Sequence, residues 1–129
     1  MRRVIVDGMN VIGSRPDGWW RDRDGAVRRL VQQLQSLGER IAVVFDGAPL
    51  RDLPEGVHDN VLVAYATRHG RDAADDRIVD EISRDPDASS LTVVTSDSAL
   101  RRRVEALGAS VEGAGALLAA IHGNSPDSH

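Results

Sequence analysis

Three apolar runs of this chain each end at an aspartate, and this repeated ending is the feature that most constrains the fold. The runs are continuous rather than alternating, which is typical of strands buried on both faces of a parallel sheet. Open sheets of that kind bind their ligands at the carboxyl ends of the strands. The sequence therefore predicts three carboxylates at one edge of a sheet. They belong to Asp7 after Val4–Val6, Asp46 after Ile41–Phe45, and Asp97 after Leu91–Ser96.

Strand-like and helix-like stretches alternate along the chain, which predicts an α/β fold with a parallel sheet and right-handed crossovers. The 129 residues suffice for one core with helices on both faces of the sheet. We expect one domain over residues 1–122 and a disordered polar tail over 123–129. Strands are predicted over 3–7, 41–46, 61–66, 91–95 and 109–111, with a loop over 47–56; helices are predicted over about 24–37, from about 72 to before Pro86, over 97–107 and over 114–121.

Composition excludes several classes of site. The chain has no cysteine, so it has neither a disulfide framework nor a thiolate metal site. It also lacks lysine, which excludes mechanisms that require one. No stretch approaches the roughly 18 apolar residues of a membrane span, and the beginning of the chain shows no secretory signal pattern. A cytoplasmic location is therefore expected. The net charge of −4 does not by itself indicate a polyanion-binding protein.

Asp75 is predicted to be a fourth member of the acidic site. It lies three, four and seven positions before Ile78, Val79 and Ile82, and these spacings share one face of a helix. The side chain should therefore point at the sheet, where an uncompensated carboxylate costs several kcal/mol. The alternative is that Asp75 belongs to a helix start capped by Asp72, where the helix dipole favours an acid.

Each of the other aspartates also has an ordinary structural interpretation. Asp7 and Asp46 both precede a glycine, as turn residues do. Asp97, or Ser96 before it, is a suitable cap for the following helix, and Asp76 is either a second site acid or a solvated residue. The shared site is favoured because the ordinary interpretation must explain the same strand ending three times.

Four carboxylates gathered at one site repel one another, and a divalent cation removes that repulsion. Mg²⁺ and Mn²⁺ suit a site with oxygen ligands and no histidine or cysteine cluster. Such ions promote in-line displacement at a phosphodiester, one activating the attacking water and another stabilising the leaving oxygen. The residues thus predict metal-dependent phosphodiester hydrolysis that needs no side-chain nucleophile.

Four short motifs resemble, in order and in spacing, those of the NYN domain, and most closely the YacP-like branch of the PIN-like nuclease superfamily. The resemblance extends from about residue 3 to about residue 118. It implies a PIN-like three-layer α/β/α sandwich with a mainly parallel central sheet. It also implies metal-dependent, endonucleolytic cleavage of RNA. The motifs are Asp7–Ile12, Val43–Gly47, Ala74–Ile78 and Val93–Asp97.

The resemblance also implies roles for individual residues. Asn10 orients Asp7 or a water on the metal, and Ser96 is the hydroxyl neighbour of the last acid. Asp76 is similar to a second acid of the helix motif, although a glutamate is common at such positions. The acids that the resemblance assigns to the metal site are Asp7, Asp46, Asp75 and Asp97.

An acidic site repels phosphate, so we expect arginines beside it that bind phosphate through their bidentate fork. For any one of them, the alternative is an ordinary solvated charge. Trp19 and Trp20 either stack on unpaired bases or cover the first helix as a hydrophobic plug. The candidate arginines are Arg101, Arg102 and Arg103 after Asp97, Arg68 and Arg71 before Asp75, and Arg15, Arg21 and Arg23 after Asn10.

The leading hypothesis is a Mg²⁺- or Mn²⁺-dependent endoribonuclease that acts on single-stranded or loop RNA. The main alternative is an RNA- or ribosome-associated binding module without turnover, which needs the arginines and tryptophans but not the acids. A receiver domain is disfavoured because the chain has no lysine, and a haloacid-dehalogenase-type phosphatase because Met9 stands where its second acid is needed. A toxin with an antitoxin partner stays open.

Overall fold

A computed structural model of the chain describes residues 3–66 and 73–124. These residues form a six-stranded sheet in the order β3-β4-β2-β1-β5-β6. All neighbouring strands are parallel except β3 and β4, which form an antiparallel pair at one edge. The strands are β1 Arg3–Asp7, β2 Ile41–Asp46, β3 Gly56–His58, β4 Val61–Ala66, β5 Leu91–Val94 and β6 Ser110–Glu112.

Helices cover both faces of this sheet, so the predicted α/β fold with an α/β/α sandwich is confirmed. One hydrophobic cluster packs α1, α2 and α5 against the first face, and a second packs α3 and α4 against the other. No helix in the described ranges is long and apolar enough to cross a membrane. The helices are α1 Gly8–Gly13, α2 Arg23–Ser36, α3 Ala73–Arg84, α4 Ser98–Ala106 and α5 Ala114–Asn124, with 3-10 turns at Trp19–Arg21 and Ala88–Ser90.

The central strand β1 shows why a continuous apolar run predicts a parallel sheet. Val4 and Val6 belong to the first cluster, whereas Ile5 belongs to the second. All three side chains are buried. Successive side chains of a strand point to opposite faces, so a strand covered on both sides needs an apolar residue at every position.

Two short elements were not predicted from the sequence. The helix α1 follows Asp7 without a loop, but its six residues are too few to show a helical period. The strand β3 lies close to the stretch predicted as a loop and begins at Gly56, whose φ of +136° suits glycine. The helix α1 is held by packing on β2, which is distant in sequence, whereas β3 pairs with β4, the strand that follows it after two residues.

Several predicted boundaries differ from the structure or lie outside the described residues. The helix α5 runs to Asn124, so residues 123 and 124 of the predicted tail are helical. The remainder of that tail, and the predicted start of the second helix at residue 72, lie outside the described residues. The helix predicted to begin at Asp97 begins at Ser98, with Asp97 as its cap.

Candidate functional site

The sheet order brings the strand-end aspartates to one edge. β1 lies between β2 and β5. Asp7 is the last residue of β1, and Asp46 is the last residue of the parallel neighbour β2. Asp97 stands three residues beyond the end of β5, the parallel neighbour on the other side. The carboxyl end of β1 is therefore the centre of the acidic cluster.

Asp75 reaches this cluster from the first turn of α3, a helix that packs against β1, β2 and β4. Its negative charge raises the pKa of Asp7, as do the charges of Asp46 and Asp97. The other three acids singled out from the sequence thus lie within electrostatic range of Asp7.

Asp7 is the buried member of the cluster, with 6 % of its surface exposed. Burial is the largest influence on this group and raises its pKa to about 6, while a hydrogen bond from Thr95 acts in the opposite direction. The repulsion from the three other carboxylates adds to the effect of burial. The cluster therefore disfavours its own central charge until a cation compensates it.

Thr95 connects two of the acids and was not singled out from the sequence. Its buried hydroxyl donates to Oδ2 of Asp7 at 2.8 Å and accepts from the backbone N–H of Asp97 at 3.1 Å. One carboxylate oxygen of Asp7 is thereby fixed in position. The available signal was a polar residue directly after the buried run of β5 and two positions before an acid.

Asp97 and Asp46 also have the local structural roles that the sequence suggested, as a helix cap and as a residue before a glycine turn. Oδ1 of Asp97 accepts from the backbone N–H of Leu100 at 3.0 Å, which caps α4. Asp46 is followed by Gly47, whose φ of +98° is a left-handed turn conformation. A cap or a turn fixes the backbone at the end of a strand, so these local roles help to hold both carboxylates at the site.

Asn10 and Ser96 join three elements around the acids. The side-chain oxygen of Asn10 on α1 accepts from the backbone N–H of Ser96 at 2.8 Å. The hydroxyl of Ser96 in turn accepts from the backbone N–H of Ala114 at 3.0 Å, at the start of α5. These two residues therefore tie the segment carrying Asp97 to the helices on the first face.

Asp76, the residue after Asp75 on α3, forms an ion pair with α4. Its Oδ1 lies 3.1 Å from Nη1 of Arg103. This ion pair connects α3 with α4 on the second face of the sheet. Of the two adjacent acids of α3, the structure thus brings Asp75 to the cluster and pairs Asp76 with an arginine.

The three arginines predicted to lie in the loop after Asn10 have different surroundings, and Arg23 is the first residue of α2. Nη2 of Arg23 donates to the backbone oxygen of Asp46 at 2.5 Å, which holds this guanidinium at the acidic edge. Arg15 instead bonds Gln33 on α2 at 2.7 Å, and burial lowers its pKa. Arg21 is exposed on the 3-10 turn before α2. Arg23, which the sequence placed only among several loop arginines, is therefore the one in contact with a site residue.

The other residues predicted to contact RNA differ in how far they are exposed. On α4, Arg101 is half-buried and Arg102 is exposed, in the two turns that follow Asp97. Trp19 is half-buried and packs against the first hydrophobic cluster, whereas Trp20 is 63 % exposed. Arg68 and Arg71 lie outside the described residues.

The charges of the acidic cluster act on one another, but the side chains do not form a complete metal site. In the described ranges, no three histidine, cysteine, aspartate or glutamate side chains come together closely enough to hold one ion. Mg²⁺ is commonly held by one or two carboxylates, several waters and substrate phosphates. A buried carboxylate surrounded by three others offers the oxygen donors for that mode of binding.

Comparison with known proteins identifies similar chains. The sequence profile of the YacP-like NYN domain matches residues 4–128. The crystal structure of Rae1 (YacP) from Bacillus subtilis is 26% identical over 96% of this chain and 75% of that chain, with a TM-score of 0.74. The W164L mutant of that protein is 25% identical over 96% and 77% of the two chains, with a TM-score of 0.76. A search of curated protein sequences finds no match.

Proposed function

The chain belongs to the family of YacP-like NYN domains, and on that premise we propose that it is a ribonuclease that depends on Mg²⁺ or Mn²⁺. The proposed reaction is endonucleolytic hydrolysis of phosphodiester bonds in single-stranded or loop RNA. The observation that carries the proposal is the convergence of three carboxylates on the buried Asp7, which together raise its pKa. A structural role for a buried acid calls for a cationic partner, whereas the charged groups that act on Asp7 among the described residues are three acids.

The proposed ligands of the cation are Asp7, Asp46, Asp75 and Asp97. When bound, Mg²⁺ or Mn²⁺ supplies activation of the attacking water and stabilisation of the leaving oxygen. Within the chain, the hydroxyl of Thr95 fixes Oδ2 of Asp7. The direction of the remaining carboxylate oxygen is thereby set before substrate arrives, and such prior positioning lowers the cost of reaching the transition state.

The raised pKa of Asp7 makes cation binding depend on pH. With its pKa near 6, Asp7 is mostly ionised at pH 7.5 and mostly protonated at pH 5. A protonated carboxyl is a poor cation ligand, so binding of the cation should release a proton below about pH 6. Asp76, which pairs with Arg103, is proposed to support the arrangement of α3 and α4 or to take a more distant ligand position.

Cleavage of a labelled single-stranded RNA in Mn²⁺ tests the assignment. Asp7→Asn and Asp97→Asn should each lower the cleavage rate by at least about 100-fold, because each removes a proposed ligand. Both substitutions keep the local hydrogen bonds: Asn accepts from Thr95 as Asp does, and Asn is as good a helix cap as Asp. Loss of rate therefore reports on charge rather than on folding.

Glu105→Gln is the matched control, because it removes one exposed negative charge from α4 outside the cluster. It should cleave at the wild-type rate. Metal-dependent cleavage that survives both aspartate changes would refute the nuclease assignment. If the wild type binds RNA without cleaving it, and Asp7→Asn binds equally well, the chain is an RNA- or ribosome-associated binding module instead.

A further inference from the structure

The segment between α1 and α2 carries an exposed aromatic side chain. The chain has two Trp, one Tyr and one Phe. Phe45 and Tyr65 are buried, and Trp19 packs against the first hydrophobic cluster. Trp20, by contrast, has 63 % of its surface exposed. Of the four rings, it is therefore the one with a face available to a ligand.

Trp20 lies near the acidic edge because Arg23 is anchored there. Nη2 of Arg23 donates to the backbone oxygen of Asp46 at 2.5 Å. Three residues of extended chain span at most about 11 Å, which limits the distance between the two Cα atoms. The Arg23 guanidinium thus stands on the β2 side of the site, and the Trp20 backbone lies within about 11 Å of the Arg23 backbone. This spacing lets the two residues contact one nucleotide or two neighbouring ones.

The turn that presents Trp20 is held at several points. Gly18 adopts a φ of +74°, and the 3-10 turn closes with the N–H of Arg21 donating to its carbonyl at 3.0 Å. Asp22 then caps α2 by accepting from Gly25 at 3.0 Å. The Trp20 ring stands edge-on to that of Trp19, with centroids 6.2 Å apart and an angle of 86°. A ring held in this way loses little freedom on binding.

Arg23 is a cation held without a carboxylate partner among the described residues. Several other arginines are neutralised by ion pairs, whereas Arg23 contacts a neutral backbone oxygen. A guanidinium has five N–H donors, so most of them stay available for a bidentate phosphate contact. The paired arginines are Arg3, Arg28, Arg29, Arg77 and Arg103.

We propose that Trp20 and Arg23 form a nucleotide-binding wall beside the acidic cluster, with Trp20 stacking on an unpaired base and Arg23 binding the adjoining phosphate. The inference rests on the proposed ribonuclease function and specifies how its substrate is selected. A base within a duplex already has both faces stacked, whereas an unpaired base offers a face to an aromatic ring. The wall therefore makes the site selective for single-stranded RNA.

Binding of an unstructured RNA of about ten nucleotides tests the wall, with Asp97→Asn present in every variant to prevent cleavage. Adding Trp20→Leu should raise the Kd by about tenfold, in line with the loss of one base–aromatic stack. Trp20→Phe should restore most of the affinity. The same RNA annealed to its complement should bind all variants equally. Val57→Ser, at an exposed apolar residue of β3, is the matched control and should leave Kd unchanged.

Replacing one nucleotide at a time by an abasic unit identifies the stacked base. At one position, the abasic unit should weaken binding to the protein that carries Asp97→Asn alone by the same factor as Trp20→Leu does. The same abasic unit should cause no further loss when Trp20→Leu is also present. Arg23→Gln should reduce the slope of log Kd against log salt by about 0.7, the value for one single-strand phosphate contact. Unchanged affinity in Trp20→Leu, or equal effects of every abasic position on both proteins, overturns the wall.

The outcomes separate this inference from the ribonuclease assignment. If the wild type cleaves RNA and Trp20→Leu binds and cleaves identically, the wall is wrong and the nuclease assignment stands. If the wild type binds RNA with the predicted dependence on Trp20 but never cleaves it, the wall stands and the nuclease assignment fails. If the chain does not bind single-stranded RNA, both are wrong.

Discussion

Asp7 is the residue at which the fold bears an electrostatic cost. Burial, together with the charges of Asp75, Asp46 and Asp97, raises its pKa to about 6, and the bond from Thr95 offsets only part of this. A carboxyl that ionises more readily in the unfolded chain than in the native state destabilises the native state when it is charged. The native fold therefore tolerates an acid at a position where a neutral side chain would be more stable.

The pH dependence of stability follows from the sign of that shift. Below about pH 4, Asp7 is protonated in both the native and the unfolded state and does not lower the free energy of unfolding. That free energy then falls as the pH rises through the native pKa of about 6. The rise in the pKa of Asp7 from the ordinary aspartate value of 3.8 to about 6 corresponds to about 3 kcal/mol. In chelator, Asp7→Asn should therefore gain up to about 3 kcal/mol over the wild type between pH 4 and pH 7.5.

Urea unfolding of both proteins across this pH range measures that difference directly, and subtraction removes the contributions of the other titrating groups. Asp80→Asn, which removes an exposed carboxyl of α3, should show no such gain. A difference between Asp7→Asn and wild type that stays constant with pH would contradict a raised pKa at Asp7.

At the scale of elements, the contact between α1 and β2 sets the geometry of the site. The helix begins immediately after Asp7 and carries Asn10. Gly8 is buried against β2: a β-carbon placed on it would lie 2.5 Å from the ring of Phe45 and 2.9 Å from the backbone oxygen of Val44. Glycine is required here because the helix approaches the strand too closely for any side chain.

Two glycines of α1 offer a matched pair of substitutions. Gly8→Ala should cost about 1–3 kcal/mol of unfolding free energy by overpacking, and should lower RNA cleavage by displacing Asp7 and Asn10. Gly13→Ala, at the exposed end of the same helix, meets no atom within 4 Å. It should leave stability unchanged or raise it by up to about 1 kcal/mol, because Ala favours a helix. Equal effects of the two changes on thermal unfolding and cleavage would argue against the close contact.

In the molecule as a whole, the acidic cluster is assembled from two strand ends of the sheet and from the two helices on its second face. Asp7 and Asp46 end neighbouring strands, Asp97 caps α4, and Asp75 belongs to α3 on the second face. A cation bound among them contacts elements that are separated in the unfolded chain. Its binding energy therefore adds to the stability of the entire domain.

Thermal unfolding with and without Mn²⁺ tests this linkage independently of activity. At pH 7.5 and an ion concentration about 100 times the Kd, the native state should gain about 2.7 kcal/mol, and the unfolding midpoint should rise by several degrees. The rise should shrink at pH 5, where Asp7 is protonated. It should disappear in Asp7→Asn and persist in Glu105→Gln. An undiminished rise in Asp7→Asn would place the bound cation elsewhere.

The α/β class, the parallel strands and the aspartates at their ends could all be predicted from the order of the amino acids. Burial on both faces imposes a continuous apolar run on each strand, and that run and its end are visible in a few consecutive residues. Asp7 and Asp46 could therefore be assigned to one edge of the sheet, and Asp75 to the buried face of a helix, before any contact was known.

The contacts between particular side chains could not be predicted in this way, because they depend on how the strands and helices pack. The bond from Thr95 to Asp7 joins residues 88 positions apart, and it exists because β5 lies beside β1 in the sheet. In the same way, tertiary packing left Trp19 half-buried against the first hydrophobic cluster and Trp20 exposed, and it brought Arg23 to the backbone of Asp46. Hydrophobic burial is non-directional and leaves a local pattern, whereas a hydrogen bond requires two distant groups in one geometry. That geometry is set by the order of the strands, which no single stretch of the chain encodes.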